Sequence, residues 1–156
     1  MNRSNAGITI VNLSVAIVLM GALAFIVFYK LFDLDAKVKA TEVLQQSWQW
    51  NKLLVAYAIE NEELGSFKEI GYVPPGKVAA DGESSKSHFF KYSSDLEGGK
   101  GRFLAINRVR LNECRKNEGE WFAYGNPEQI VGNAVVEAPV ARCAVLTPYF
   151  ELLRGF

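Results

Sequence analysis

A long uncharged segment near the N-terminus limits the folds open to this chain more than any other part of its sequence. No Asp, Glu, Lys or Arg occurs from Ser4 to Tyr29, and residues 13–29 of that run, LSVAIVLMGALAFIVFY, are almost entirely apolar. A helix of about 20 apolar residues covers the ~30 Å of bilayer hydrocarbon, because each residue rises ~1.5 Å and a helix satisfies its own backbone polar groups there. The sequence therefore predicts a membrane-spanning helix.

Two other interpretations of the apolar segment are the buried helix of a soluble core and a cleaved secretory signal. Core helices are usually shorter and carry a polar face. The run is also longer than the ~7–15 apolar residues of a signal peptide, and no small-x-small cleavage site follows Tyr29. A retained anchor is therefore favoured. Arg3 and the terminal amine precede the span, which favours a cytoplasmic N-terminus.

The helical pattern continues beyond the apolar segment. No proline occurs in residues 1–73, and the pattern predicts one helix from about Thr9 to Leu64, ended by Gly65. In its outer half, apolar residues at three- and four-residue spacings predict a stripe that a sheet covers. The residues of this predicted stripe are Leu34, Val38, Leu44, Trp48, Val55 and Ile59.

Beyond Ile70 the composition shifts to glycine, proline and serine, and short β-type runs follow. Residues 72–76, YVPPG, predict a loop, and the polar stretch 79–87 is expected to be mobile. Residues 95–101 predict a hairpin loop. The predicted strands are His88–Tyr92, Arg102–Val109 and Glu120–Tyr124, with Val140–Leu146 as a fourth candidate.

Together these elements predict an α+β fold. Residues 30–65 are expected to form the amphipathic half of the long helix, and residues 66–156 a small antiparallel sheet domain packed against it. The aromatic residues expected in the shared core are Phe90, Phe103, Trp121 and Tyr124.

The first residues of the chain resemble the N-terminal signature of type IV pilins and type II secretion pseudopilins. The likeness rests on residues 7–13, GITIVNL, followed by Ala16, Gly21 and Ala24 in an apolar helix. It covers about the first quarter of the chain closely. Members of that family combine a long N-terminal helix with a small C-terminal sheet domain, so the resemblance implies a pilin-like fold.

The resemblance also implies how the chain is processed. In the family, a short basic leader ending in glycine is removed by a prepilin peptidase on the cytoplasmic side, and the new N-terminal residue is methylated. Here the implied leader is residues 1–7, cleavage falls between Gly7 and Ile8, and Ile8 is methylated. Residues 8–29 then form the transmembrane and filament-core helix.

The implied function is that of a structural subunit of a type IV pilus-like filament, located in the inner membrane by a single pass and at the cell surface after assembly. Its partners would be other copies of itself, other pilins, the prepilin peptidase, an inner-membrane assembly platform and, before assembly, membrane lipid. Helix packing would involve Asn12, Gly21, Ala22 and Ala24. The alternatives are a minor pilin or pseudopilin of a type II secretion system, and a non-polymerising bitopic protein with a periplasmic binding domain.

The chain departs from the family pattern at two positions. Asn12 stands where the family normally has glutamate, whose carboxylate neutralises the terminal amine of a neighbouring subunit in that family. An amide accepts a hydrogen bond but supplies no charge, so a fibre of this subunit alone would need another acceptor. Tyr29 stands where many members have proline, and we therefore expect a more continuous helix.

The chain contains two cysteines, Cys114 and Cys143. If the sheet domain lies outside the cytoplasm, as the anchor orientation implies, we expect them to form a disulfide. The alternative is a pair of reduced, buried cysteines.

Composition argues against several other functions. The 17 basic and 17 acidic residues balance, and removal of Arg3 with the leader leaves a side-chain charge of 16 − 17 = −1, so no nucleic-acid partner is predicted. His88 and two cysteines cannot supply a four-ligand zinc cluster. Asp95 and Glu97 are too few oxygen donors for a calcium site, so no metal or cofactor is expected. No nucleophile motif or phosphate-binding glycine loop occurs, which argues against an enzyme.

Overall fold

The computed structural model describes residues 10–97, 100–125, 135–137, 140–148 and 150. Within them lie a long helix, a short helix and a sheet of six strands, so the predicted α+β class is confirmed. The helices are α1, Ile10–Asn61, and α2, Ala141–Ala144. The strands are β1 Lys77–Val78, β2 Ser84–Lys86, β3 Phe90–Glu97, β4 Lys100–Asn107, β5 Glu120–Gly125 and β6 Val135–Glu137.

The sheet is an antiparallel meander in which each strand pairs with the next one along the chain, in the order β1-β2-β3-β4-β5-β6. Its longest ladder joins β3 to β4, with pairs running from Phe90 opposite Asn107 to Glu97 opposite Lys100. The hairpin loop predicted over residues 95–101 is therefore wrong in extent, because most of that stretch is strand. Gly101 lies in β4 beside Leu54 of α1, where a Cβ would come within 3.3 Å of the leucine side chain.

Two further predictions about the sheet domain are wrong. The stretch 79–87, expected to be mobile, contains β2, and the buried Ser85 donates its hydroxyl to the Pro75 carbonyl at 3.0 Å. Residues 140–146, a candidate strand, contain the helical turn α2 instead. The Val140 carbonyl accepts hydrogen bonds from the amides of Cys143 and Ala144, which closes that turn.

Helix α1 ends three residues earlier than Leu64, the last residue of the predicted helix. Asn61 is its last residue, and Glu62 follows with a positive φ of 58°, the left-handed conformation that commonly ends a helix. The Glu62 amide still bonds to the Ala58 carbonyl at 3.0 Å. Gly65 is instead needed for packing, because a Cβ there would lie 2.9 Å from the side chain of Ile70.

The chain divides into two compact units, residues 1–35 and residues 36–156. In the second unit, α1 buries a face that repeats every three or four residues and is rich in small side chains. This buried face consists of Ala36, Ala40, Val43, Ser47, Trp50, Leu54 and Ala58.

The apolar stripe predicted to meet the sheet is wrong for four of its six residues, whereas Leu44 packs partly buried against the core and Val55 is half-buried. Leu34, Val38, Trp48 and Ile59 are 45–64% exposed. The buried face carries small residues, which let the helix backbone approach the aromatic side chains of the sheet. The predicted stripe and the buried face both repeat every three or four residues, so periodicity alone does not show which of the two faces the sheet.

The inner face of the sheet supplies most of the core volume. Phe90, Phe103 and Trp121 are fully buried, as predicted, and Phe103 packs against Trp50 of α1 with ring centroids 5.6 Å apart. Tyr124 is a wrong prediction, because it lies half-buried on the outer face. Side chains alternate along a strand, so the inward direction of Trp121 turns Tyr124 outward.

Two buried tyrosines of the sheet domain bond to α1. Tyr92 donates its hydroxyl to Glu42 at 2.8 Å, and Tyr72 donates its hydroxyl to the Gln46 side chain at 2.7 Å. Burial first, and the negative charge of Glu42 second, raise the pKa of both phenols above the ordinary value of 10.0. Both groups therefore keep their protons in the folded state at pH values where unfolded tyrosine loses them.

We expect the free energy of unfolding to fall as the pH rises above about 10. In that range the unfolded state binds fewer protons than the folded state, and each tyrosine contributes a slope of up to about 1.4 kcal/mol per pH unit. Urea titrations of the detergent-solubilised chain between pH 8 and 12 measure this slope. Tyr92→Phe should make the decline shallower, whereas Tyr124→Phe, outside the core, serves as the matched control. An equally steep decline in both variants would contradict the prediction.

Candidate anchoring and assembly site

The N-terminal unit presents an apolar helical surface. Every large apolar side chain from Ile10 to Leu34 is more than half exposed, from 53% at Val15 to 86% at Ile10. The helix of a soluble core is covered by its own chain, so this exposure argues against the core-helix interpretation of the sequence. A surface of this kind requires a partner or a lipid environment, because contiguous exposed apolar patches are rare on soluble monomers.

Helix α1 is long and apolar enough to cross a membrane. Residues 10–29 contain no charged side chain and extend about 30 Å, which matches the hydrocarbon thickness of a bilayer. Each large apolar side chain gains free energy on leaving water, so the segment favours lipid or the surface of another helix over water. The sequence segment predicted to be the anchor is thus both helical and uncovered.

The four residues predicted to take part in helix packing all lie on α1. Asn12, Gly21, Ala22 and Ala24 are exposed in this segment. Gly21 has open space around it, since a Cβ built there would meet nothing within 4 Å. Gly21 and Ala24 are three residues apart and share a helix face, which allows another helix to approach closely.

The predicted cleavage and methylation site lies outside the described residues. Gly7 and Ile8 precede Ile10, where the described chain begins. Cleavage after Gly7 and N-methylation of Ile8 therefore stay predictions from the sequence.

The structure joins Cys114 to Cys143 in a disulfide, with the two Cα atoms 4.9 Å apart. Both residues are fully buried. The bond links the loop between β4 and β5 to α2, and next to it the indole N–H of Trp121 donates to the hydroxyl of Thr147 at 2.8 Å. The C-terminal part of the sheet domain is therefore held by one covalent bond and a buried hydrogen bond.

A buried amide also holds the loop between β4 and β5, residues 108–119. The side-chain amide of Asn107 donates to the carbonyls of Val109 at 2.9 Å and Arg115 at 2.7 Å. Its oxygen accepts from the amide of Gly119 at 2.8 Å. The role of Asn107 could not be predicted from the sequence, since one asparagine in a β-type run carries no signal of its role.

The other residues considered for chemistry lie apart from one another. His88 is exposed and packs edge-on against Phe89, with ring centroids 4.7 Å apart. Asp95 lies within β3, directly opposite Arg102 of β4, instead of in a loop. Glu97 ends β3. In the described part of the chain, no group of three or more His, Cys, Asp or Glu residues could hold a metal ion.

No family model, no curated protein and no solved structure matches this chain. The features on which a function can be proposed are the N-terminal sequence, the exposed apolar helix and the disulfide-bonded sheet domain.

Proposed function

We propose that this chain is the precursor of a structural subunit of a type IV pilus-like filament, processed after Gly7 and assembled through its N-terminal helix. The observation that supports the proposal is the uncovered apolar surface of residues 10–34, next in sequence to a unit with its own core. Such a surface is satisfied by lipid before assembly and by the helices of neighbouring subunits after it.

The sheet domain fits the same role. Residues 36–156 bury their own aromatic core, so this unit does not need the apolar segment for its packing. A buried disulfide is typical of proteins outside the cytoplasm. We infer a single-pass inner-membrane protein with a cytoplasmic N-terminus, which reaches the cell surface once assembled. Its inferred partners are its own copies, other pilins, the prepilin peptidase and an assembly platform.

Processing is the direct test of this proposal. In the native membrane, intact-mass spectrometry should find a mature chain that begins at Ile8 and carries one added methyl group. Gly7→Glu should abolish cleavage, because it removes the glycine with which the leaders of the family end. Ala6→Gly, one residue earlier in the leader, is the matched control and should be processed normally. A wild-type chain that keeps Met1 to Gly7 in functional material would overturn the proposal.

A non-polymerising bitopic protein is the second candidate, and Asn12 favours it, since an amide cannot neutralise a buried terminal amine. The two functions differ in where the mature chain is found. A filament subunit starting at Ile8 appears in the sheared surface fraction, whereas a bitopic protein stays in the membrane fraction. A minor pilin or pseudopilin would appear in sheared fibres only together with a more abundant subunit.

A further inference from the structure

The outer face of the sheet carries a row of lysines that the linear sequence does not show. Lys77 of β1 lies directly opposite Lys86 of β2, and Lys86 lies directly opposite Lys91 of β3. All three side chains are exposed. Directly opposed residues point to the same face, and neighbouring strands lie about 4.8 Å apart, so the row spans about 10 Å. We call these three residues the lysine row.

This arrangement is unfavourable for the isolated sheet, because like charges directly opposite one another are destabilising. Among the described residues, no ion pair with a carboxylate is found for the lysine row. Continuing the register, Lys91 faces Ile106, and Ile106 faces Glu120, so the first carboxylate in line is two strands beyond the last lysine. The row therefore concentrates positive charge in a chain whose net charge is zero.

The lysine row leads into a concavity of about 410 Å³. Its lining consists of Lys91, Ile106, Arg108, Lys116, Asn117 and Glu120. Arg108 is fixed at its rim, because its guanidinium donates to the carbonyl of Ser87 and its amide donates to the carbonyl of Phe89. Three cations and one carboxylate thus face the same space, and Lys91 belongs to both the row and the concavity.

The loop that carries Arg108 and Lys116 is fixed to the core by buried side chains. The three hydrogen bonds of buried Asn107 and the disulfide at Cys114 fix residues 108–119 to the core. A charged surface on a fixed loop binds more tightly than one on a mobile loop, because less conformational entropy is lost on binding.

We propose that the lysine row and the concavity bind the phosphodiester backbone of a single-stranded nucleic acid. A narrow line of cations suits a linear polymer with one negative charge per unit, since each Lys or Arg neutralises one phosphate. Glu120 and Asp95 lie on the same outer face and interrupt the positive field on one side of the row, which disfavours a broad anionic surface such as a membrane.

A pair of aromatic rings on the same face favours nucleic acid over a polyanion without bases. Phe122 and Tyr124 of β5 are half-buried and nearly parallel, with ring centroids 6.3 Å apart, and the guanidinium of Arg102 lies 4.5 Å from the Phe122 ring centre. The same guanidinium lies 5.9 Å from the Tyr124 ring centre, and Glu120 is the residue of the concavity that comes next to this pair along β5. Aromatic and guanidinium planes are groups on which single-stranded bases stack. The prediction of no nucleic-acid partner was based on net charge. Net charge does not show that the strand register places three lysines next to one another.

The test uses the full-length chain in detergent micelles and a fluorescein-labelled oligo(dT), with binding measured by anisotropy over a range of salt concentrations. This measurement needs no filament, so its outcome is independent of the proposed assembly role. The variant K86Q/K91Q removes two charges from the row, and K52Q/K68Q removes two charges from α1 and the loop after it. Thermal unfolding of both variants checks that the fold is retained.

We expect the wild-type chain to bind, and K86Q/K91Q to bind at least about fivefold more weakly, with K52Q/K68Q unchanged. The slope of log affinity against log salt should become shallower by about 1.4 in K86Q/K91Q, since each phosphate contact with a single strand contributes about 0.7.

Absent binding by the wild-type chain, or equal losses in the two variants, would overturn the proposal. So would displacement of the oligonucleotide at equal charge concentration by inorganic phosphate, by polygalacturonate or by phosphatidylglycerol micelles. These outcomes would identify a free-anion, polysaccharide or lipid site instead.

Discussion

Replacing Val18 and Ala22 by arginine is expected to release the full-length chain from the membrane fraction. The two positions lie near the middle of the uncharged segment and are one helical turn apart. Each arginine at the centre of a spanning helix costs about 2.5–3.5 kcal/mol on the insertion scale, and the apolar residue it replaces contributes favourably or little. Two substitutions therefore cost about 5–7 kcal/mol, which shifts the partition between membrane and water by roughly three to five orders of magnitude.

Alkaline extraction of membranes, followed by immunoblotting of pellet and supernatant, measures this partition. The matched control is Val38→Arg with Thr41→Arg, which adds the same two charges to exposed positions of α1 within the unit 36–156. The control should stay in the pellet. Retention of the Val18→Arg/Ala22→Arg variant in the pellet would show that residues 10–29 are not the anchor.

Removal of the disulfide is expected to produce the second-largest effect. The bond closes a sequence separation of 29 residues, for which loop-closure entropy gives a stabilisation of about 3–4 kcal/mol. Replacing both Cys114 and Cys143 by alanine should lower the free energy of unfolding by that amount. For a unit of this size the melting temperature should fall by about 10 °C or more.

The loss should be concentrated near the bond. Hydrogen exchange should accelerate in residues 108–119 and 140–148 more than in β3 and β4, because the former are attached to the core through the disulfide. Reduced wild-type protein should reproduce the melting temperature of the alanine variant, and reductant should leave the variant unchanged. A change in unfolding free energy below about 0.5 kcal/mol would mean that the core around Trp121 holds these segments without the bond.

The long helix and three of the six strands could be predicted from local sequence, whereas β1, β2 and β6 were not predicted. The three strands His88–Tyr92, Arg102–Val109 and Glu120–Tyr124 correspond to β3, β4 and β5 with shifted ends, because β-branched and aromatic runs bounded by turn residues are local signals. The errors occurred where distant contacts override local preference. Residues 140–146 have β-type composition, yet they form a helical turn beside the disulfide.

The candidate sites divide in the same way. The exposed apolar helix follows from residues 10–29 alone, since an uncharged run of that length is incompatible with a water-covered surface whatever the rest of the chain does. The lysine row could not be predicted, because Lys77, Lys86 and Lys91 come together only through the register of three strands.

The apolar helix, the α+β class and the availability of two cysteines for one bond follow from residue type and spacing, because transfer out of water and covalent pairing depend on these. The folded arrangement is needed to know which face of α1 is buried, which side of the sheet Tyr124 occupies and which cations are neighbours. Two faces of α1 have the same periodicity, and a shift of one residue in strand register moves every side chain of the strand to the other face of the sheet. Packing between segments far apart in the chain therefore selects the face and the register.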